Sequence, residues 1–259
     1  MNLKKWMFLI TLVFSFQALS ITVVTDLDDT LKVTNVSNSA RAVWNALFSK
    51  KAFKGIPELI QTMDGYVSGV YILSASPTLI SGRIEAFLDH NKIPRKEVFT
   101  RSLSQLGEVE KYKYNVLDTV ANYQNEKMIL LGDNVQIDET IYLKYQENNP
   151  ESIEQIYIHK VKNLKSHESV IQFYTAFDIV VNEYLEGRMS FFEVSDVAKD
   201  IVVTFDMEKY IPSFAYCPTK KAEFNKIPLG SITPIVASVR TKIISFCEYF
   251  YLSYRAFCR

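Results

Sequence analysis

The amino-acid sequence predicts a doubly wound α/β fold, in which helices cover both faces of a parallel β-sheet. Three observations support this prediction: short apolar runs typical of buried strands, helical patterns that alternate with them, and polar side chains where the runs end. The apolar runs span residues 21–25, 70–73, 128–131 and, less strongly, 156–158. In such a fold ligands bind outside the carboxyl ends of the strands, so we expect the functional site there.

The segments between these runs have the apolar spacing of helices, and they span residues 40–50, 56–63, 77–90, 112–123 and 138–146. From about residue 165 the pattern changes to helix-like, aromatic-rich segments at residues 170–185 and 243–257, with prolines such as Pro234 interrupting between them. We therefore divide the mature chain into an α/β domain at residues 21–164 and a mainly helical C-terminal extension at residues 165–259.

The first twenty residues resemble a secretory signal peptide. Lys4 and Lys5 precede an apolar run at residues 6–16, and Ala18-Leu19-Ser20 has small residues where a signal peptidase cleaves. The apolar run is too short to cross about 30 Å of hydrocarbon as a helix, so we expect cleavage and export to the periplasm or the exterior. The alternative is an uncleaved segment that anchors the protein to a membrane.

Composition and cysteine content limit the functions further. The 29 basic residues balance 29 acidic ones, which leaves no electrostatic footprint for nucleic acid. The three cysteines, Cys217, Cys247 and Cys258, fit no zinc motif. In an exported protein two of them could form a disulfide, and buried thiols are the alternative.

Acidic and hydroxyl side chains follow three of the predicted strands. The first run is followed by Asp26 and Asp28, the second by Ser74, and the third by Asp133, with Asp138 five residues later. Neighbouring carboxylates repel each other, and a divalent cation relieves this repulsion. Backbone N–H groups beside Ser74 precede a helix and so favour an anion. Because parallel strands end at one edge of the sheet, these groups predict a magnesium phosphotransfer site.

The motifs DLDDT, YILSASP, a lysine at a helix start and GDNVQID, in this order, resemble the four motifs of the haloacid dehalogenase superfamily of phosphohydrolases. The longer segments DLDDTLKVT, ILLGD and IYIHKV are similar to the catalytic domain of phosphatidate phosphatases of the actin-patch-protein type. The resemblance covers roughly residues 21–162. It implies a Rossmann-like core, Mg²⁺ as cofactor, a phosphomonoester substrate such as phosphatidate or another phospholipid, and peripheral contact with a membrane.

The resemblance also implies a role for each motif residue. Asp26 would be the nucleophile that forms an aspartyl-phosphate, and Asp28 the general acid and then base. The Asp26 and Asp133 carboxylates and the Asp28 backbone carbonyl would bind the metal, while Asp138 would orient these ligands or the lysine. The residues expected to bind the phosphoryl group are Thr30, Ser74, Ala75 and a lysine, either Lys113 or Lys111.

Two features leave the substrate open. Residues 134–136 read Asn-Val-Gln where the relatives usually have Ser-Gly-Glu, so a loop acid is missing and metal affinity or substrate preference is in question. The segments where superfamily members carry cap domains, residues 35–55 and 77–110, are too short for an independent domain, which predicts a minimal cap and an open site. Two alternatives therefore remain: an exported phosphatase for soluble nucleotides or sugar phosphates, and a non-catalytic phosphate- or lipid-binding module.

Residues outside these motifs are expected to be structural. His90, His159 and His167 lack metal-ligand spacing and are predicted to lie at the surface or its boundary. The aromatic residues between Phe246 and Phe257 are expected to pack against the core, and the alternative is a lipid-facing surface.

Overall fold

The computed structural model describes residues 21–35, 49–105, 107–226 and 230–257. Within them six parallel strands form one sheet with the order β3-β2-β1-β4-β5-β6. The strands are β1 (Ile21–Asp26), β2 (Gly69–Pro77), β3 (Glu97–Arg101), β4 (Lys127–Asp133), β5 (Ile153–His159) and β6 (Ile171–Phe173). The prediction of a doubly wound α/β fold is confirmed.

The central strands carry apolar side chains on both faces of the sheet, which explains why helices cover both faces. Consecutive side chains of a strand point to opposite sides of the sheet, so a strand buried on both faces is apolar throughout. Val23 packs into one hydrophobic cluster and Val24 into the other, and Ile129 and Leu130 are divided in the same way. All four of these side chains are fully buried.

The helices form two layers around this sheet. They are α1 (Ile56–Asp64), α2 (Ser81–His90), α3 (Val109–Gln124), α4 (Asp138–Asn148), α5 (Ala176–Leu185), α6 (Phe191–Val203) and α7 (Thr233–Phe257). Helices α3 and α4 contribute apolar residues to the cluster on one face, while α1, α2 and α5–α7 contribute to the cluster on the other. The carboxyl ends of β1, β2 and β4 emerge between the two layers.

Several predicted boundaries were wrong. Strands β3 and β6 were not predicted, and β6 occupies the start of the segment predicted as a helix at residues 170–185. Pro234 lies in the first turn of α7 instead of interrupting between helices, which is a favoured position because the first N–H groups of a helix have no intrahelical partner. The predicted helix at residues 40–50 and the predicted signal at residues 1–20 fall mainly or wholly outside the described residues.

Two of the C-terminal helices begin with clear sequence signals, and the last helix is attached by a disulfide. Thr175 and Ser190 form capping boxes that start α5 and α6. A disulfide joins Cys217, in the segment before α7, to Cys247 in that helix. Cys258 lies outside the described residues. Among the helices of the described segments, none has the length and apolar character needed to span a membrane.

The C-terminal aromatic residues divide between packing and exposure. In α7, Ile243 and Cys247 are buried, and Phe246 packs against the core. Tyr249, in contrast, is 72% exposed. The second segment that could have held a cap, residues 77–110, contains α2 and β3 and no inserted domain. The first, residues 35–55, lies partly outside the described residues.

Candidate active site

The predicted site residues converge at the carboxyl end of the sheet. Asp26 is the last residue of β1 and pairs in register with Leu73 of β2, directly before Ser74. Thr25 pairs with Leu131 of β4, two residues before Asp133. Parallel pairing in this register therefore brings the first, second and fourth motifs to one point.

Lys113 of α3 forms the ionic centre of this site. Its ammonium Nζ donates to Asp26 Oδ1 at 2.6 Å and to Asp138 Oδ1, and all three side chains are almost completely buried. Burial lowers the pKa of Lys113, but its contacts with Asp138 and Asp26 outweigh this effect and hold the pKa above its usual range. The two carboxylates therefore favour the charged form of the lysine.

Lys111, the competing candidate, lies elsewhere. Its side chain is 70% exposed and pairs with Glu108 at 3.4 Å on the surface of α3. Two residues along a helix correspond to a rotation of about 200°, so only one of the two lysines can face the sheet. The packing of α3 through Val116 and Leu117 turns Lys113 inward.

Three carboxylates surround the lysine. One oxygen from each of Asp26, Asp133 and Asp138 lies within 4.8 Å of the others. Burial raises the pKa of Asp26 well above its usual range, against the opposing effect of Lys113. Burial, and then repulsion from Asp138, raises the pKa of Asp133 to about 8, although the N–H groups of Gln136 and Val135 oppose this. One lysine does not balance three carboxylates.

The polar surroundings of Asp133 leave one of its carboxylate oxygens without a described partner. Its Oδ1 accepts a hydrogen bond from the backbone N–H of Gln136 at 2.9 Å and a second from Val135. Its Oδ2 is buried and has no hydrogen-bond partner among the described residues. Buried polar atoms are nearly always paired, so this oxygen is suited to a ligand that the protein itself does not supply.

Gly132 allows α4 to come close enough to complete the cluster. A Cβ atom at this position would lie 2.7 Å from Asp138 Cβ and 2.8 Å from a ring carbon of Tyr142. Any side chain here would push the start of α4 away from β4. The glycine of the GDNVQID motif is therefore required by packing beside the site.

Asp28 lies apart from the three-carboxylate cluster and faces the open side. Its Oδ1 accepts from Thr34 Oγ1 at 2.7 Å, and its Oδ2 accepts from Ser76 Oγ at 3.3 Å. Ser74 is fully buried, and its Oγ accepts from the backbone N–H of Ser76 at 3.1 Å. Thr30 Oγ1 is 3.5 Å from Asp26 Oδ2, at the limit of a hydrogen bond.

An open cleft of about 560 Å³ leads to Asp28. Its walls carry two cations, Arg101 at the end of β3 and Lys162 after β5, and the Arg101 Nε donates to the backbone carbonyl of Ala75. Asp28 is the one acidic side chain in the described lining, which consists of Asp28, Ala75, Ser76, Pro77, Arg101, Val135, Gln136 and Lys162. No described residue of the C-terminal extension lines the cleft.

Three residues beside the site were not predicted from the sequence. Arg101 ends an unpredicted edge strand. Asn134 clamps the segment after β5: its Oδ1 accepts from the N–H groups of Val161 and Lys162 at 2.9 and 2.8 Å, and its Nδ2 donates to the Lys162 carbonyl at 2.8 Å. The prediction of a surface or boundary position for His159 was wrong, because this residue is 2% exposed. The apolar run at residues 156–158, directly before His159, was the available signal, because it indicates a buried strand.

The chain matches one family model and resembles a few known proteins. Residues 21–160 match the model described as phosphatidate phosphatase APP1, catalytic domain. An uncharacterized protein of Schizosaccharomyces pombe is 23% identical over 152 residues, which cover 54% of this chain and 25% of that protein. The chain therefore spans about a quarter of that relative's length.

Solved structures resemble the chain at lower identity. A chain in the Pnkp1/Rnl/Hen1 RNA repair complex is 17% identical with a TM-score of 0.41, over 54% of this chain and 43% of that one. An uncharacterized protein from Listeria monocytogenes serotype 4b is 16% identical with a TM-score of 0.46, over 65% of this chain and 99% of that one. The match over residues 21–160 shows that the chain belongs to the family of phosphatidate phosphatase APP1 catalytic domains, with a haloacid dehalogenase-like fold, and the family implies a phosphatase.

Proposed function

We propose that the protein is a magnesium-dependent phosphomonoester hydrolase that acts through an aspartyl-phosphate on Asp26. The observation that carries the proposal is the buried ion cluster, in which Lys113 contacts Asp26 and Asp138 while an oxygen of Asp133 has no described partner. A cation of charge +2 would balance this cluster. A phosphoryl group beside Lys113 would then be bound between two positive charges.

The donor set fits magnesium. The Asp26 and Asp133 carboxylates, with the backbone carbonyl of Asp28, are oxygen ligands of the kind that Mg²⁺ prefers, and Asp138 would hold Lys113 beside them. When bound, the metal ion neutralises charge on the phosphoryl oxygens and orients them for in-line attack.

The two motif aspartates are suited to different steps. Asp26 contacts Lys113 at 2.6 Å, and this cation would favour the ionised carboxylate against the effect of burial. One oxygen of the carboxylate would attack phosphorus, forming the aspartyl-phosphate as the bond to the leaving oxygen breaks. Asp28 faces the cleft, where it would give its proton to that leaving oxygen. In the second step Asp28 would take a proton from water as the water attacks phosphorus and frees Asp26.

The phosphoryl oxygens would be bound by the residues around Asp26. Ser74 would contribute its hydroxyl and Ala75 its backbone N–H, at the end of β2 and before a turn of helix. Thr30 would contribute its hydroxyl from the other side, where it already lies 3.5 Å from Asp26. Lys113 would neutralise the charge that develops on the transferring group.

The openness of the cleft supports a bulky substrate, and phosphatidate is the first to test because the chain belongs to a phosphatidate phosphatase family. Peripheral contact with a membrane, for example through the exposed Tyr249, is part of this proposal. We also propose export, or membrane attachment through an uncleaved N-terminal segment. The Cys217–Cys247 disulfide supports an oxidising compartment.

A second candidate function is hydrolysis of soluble anionic phosphomonoesters such as nucleotides or sugar phosphates. Arg101 and Lys162 favour it, because they line the cleft from two sides and would attract a charged substrate. A non-catalytic phosphate- or lipid-binding module is the third alternative, and the absence of an acid at residues 134–136 is the feature that favours it.

The nucleophile can be tested directly. We expect Asp26→Asn to abolish hydrolysis of 4-nitrophenyl phosphate and to abolish magnesium-dependent binding of beryllium fluoride, which mimics an aspartyl-phosphate, because an amide cannot attack phosphorus. Turnover by colorimetry and binding by fluorine NMR are the measurements. A variant with the wild-type rate would exclude the mechanism, and a wild-type protein that binds without turnover would favour the binding module.

The two lysines of α3 give a matched pair. Lys113→Ala should lower kcat by about 100- to 1,000-fold, because it removes a buried cation beside the reacting group. Lys111→Ala should leave kcat within about twofold, because its side chain is exposed and pairs only weakly. Steady-state kinetics measure both, and equal losses would contradict the assignment of Lys113.

Metal binding can be tested through stability. Asp133→Asn should raise the melting temperature of the metal-free protein by about 5 °C, because it removes a carboxylate whose charge is disfavoured by burial and then by repulsion from Asp138. It should also remove the further rise that magnesium gives the wild type. Thermal unfolding with and without magnesium is the measurement. Asp200→Asn, which removes a carboxylate that pairs with Lys54 at 3.0 Å outside the site, is the control for the response to magnesium. An unchanged response to magnesium would exclude Asp133 as a ligand.

The substrate can be tested by comparing phosphatidate in detergent micelles with glycerol 3-phosphate, which carries the same phosphomonoester without acyl chains. We expect kcat/KM to be at least about tenfold higher for phosphatidate, because acyl chains add binding energy that glycerol 3-phosphate lacks. Phosphate release measures both reactions, and Asp26→Asn provides the blank. A preference for glycerol 3-phosphate would favour the second candidate function.

A further inference from the structure

Asp29, in the loop after β1, combines full burial with an uncommon backbone conformation. It is fully buried and has a left-handed backbone with φ of 56°, which non-glycine residues adopt uncommonly. Its carboxylate Oδ1 accepts hydrogen bonds from the backbone N–H groups of Thr34 at 2.9 Å and Asn35 at 2.6 Å. The residue lies between Asp28 and Thr30, so its conformation sets the course of the loop that carries the catalytic groups.

The side chain of His159 contacts the backbone of Asp29. Its Nδ1 is 2.6 Å from the carbonyl oxygen of Asp29, across 130 residues of sequence. The imidazole has no freedom to turn away, because Phe173 stacks on it at 4.8 Å and Phe53 meets it edge-on at 4.6 Å. The hydrogen bond is therefore made by a ring that is fixed in place.

The backbone of the same histidine holds the second acidic loop. His159 pairs in register with Asp133, and its carbonyl oxygen accepts from the backbone N–H of Asn134 at 3.1 Å. One residue at the end of β5 thus contacts the loop of Asp28 through its side chain and the loop of Asp133 through its main chain. These are the two loops that the proposed metal would bridge.

The protonation state of the ring is consistent with this contact. Burial lowers the pKa of His159 to about 4, although the backbone carbonyls of Asp29 and Tyr174 favour the charged form. At neutral pH the ring therefore carries one proton. Because a carbonyl oxygen can only accept, the contact with Asp29 requires that proton on Nδ1.

We propose that His159 is a positioning residue for the proposed phosphatase reaction. The peptide group between Asp29 and Thr30 is planar, so fixing its carbonyl oxygen also fixes the direction of the Thr30 N–H, which points the opposite way. His159 thereby sets the orientation of the segment from Asp26 to Thr30 without contacting the substrate. The expected effect of His159 on catalysis rests on the proposed function, whereas its expected effect on the loop does not.

The test uses the full chain with three substitutions of one residue. His159→Phe keeps an aromatic ring between Phe53 and Phe173 but removes the donor. His159→Asn supplies an amide N–H near the position of Nδ1, whereas His159→Gln supplies it near the position of Nε2. Tyr66→Phe is the control, because it removes a 3.0 Å hydrogen bond to buried Glu183 outside the site.

The first readout does not depend on activity. Hydrogen exchange of the Thr34 and Asn35 amides, which bind the Asp29 carboxylate, should become at least about tenfold faster in His159→Phe and His159→Gln, because local opening becomes easier. Exchange in His159→Asn should stay within about threefold of the wild type. Tyr66→Phe should lower the melting temperature and leave these two amides unchanged.

The second readout separates positioning from general stability. His159→Phe and His159→Gln should lower kcat by about 10- to 100-fold with KM within about threefold, because misplaced catalytic groups affect the transition state most. His159→Asn should recover kcat to within about fivefold of the wild type.

The exchange rates of the Phe, Asn and Gln variants can each contradict the proposal. Unchanged exchange in a folded His159→Phe or His159→Gln variant would overturn the proposal, as would equal behaviour of the Asn and Gln variants. If His159→Phe does not fold, the Asn and Gln pair decides alone. If the wild type hydrolyses no phosphomonoester, the proposed function fails, and the exchange readout still decides whether His159 holds the loop.

Discussion

The buried contact of Lys113 with Asp26 and Asp138 is the constraint on which the rest of the site depends. A buried ammonium group is tolerated only where carboxylates compensate its charge. Buried carboxylates in turn need a cation that compensates theirs. Three carboxylates against one lysine leave a formal charge of −2 if all are ionised. Burial, and then repulsion among these carboxylates, raises the pKa values of Asp26 and Asp133.

Strand pairing and apolar packing keep these charged groups together. Parallel pairing of β1 with β2 and β4 fixes Asp26 between the two neighbouring strand ends. Gly132 lets α4 approach within contact of β4, so Asp138 reaches the lysine. The hydrophobic cluster under α3 and α4 holds both helices on the sheet. Packing energy thus offsets the cost of an arrangement that electrostatics alone would not favour.

The central strands and the acids that follow them could be predicted from the sequence, because each of these residue types has one physical role there. Buried central strands are continuous apolar runs, so β1, β2, β4 and part of β5 were predictable, and so was the position of the acids that follow them. The edge strands were not, because β3 and β6 are half-exposed and short and lack such a run. Helical spacing favoured Lys113, but only the packing of α3 decides which of two lysines faces the sheet. His159 was misjudged because its environment comes from Phe53 and Phe173, which are distant in sequence.

Among the described residues, the C-terminal helices leave the mouth of the cleft uncovered. Helices α5–α7 share a hydrophobic cluster with α1 and α2, so they thicken one face of the sheet instead of covering its carboxyl edge. The described cleft lining accordingly comes from strand ends and from the loops that follow them, including Arg101 and Lys162. Arg101 ends β3 and Lys162 follows β5, and these two strands lie four positions apart in the sheet. Both side chains line the cleft that leads to Asp28, so a negatively charged group bound there would be attracted by cations from two separate strands.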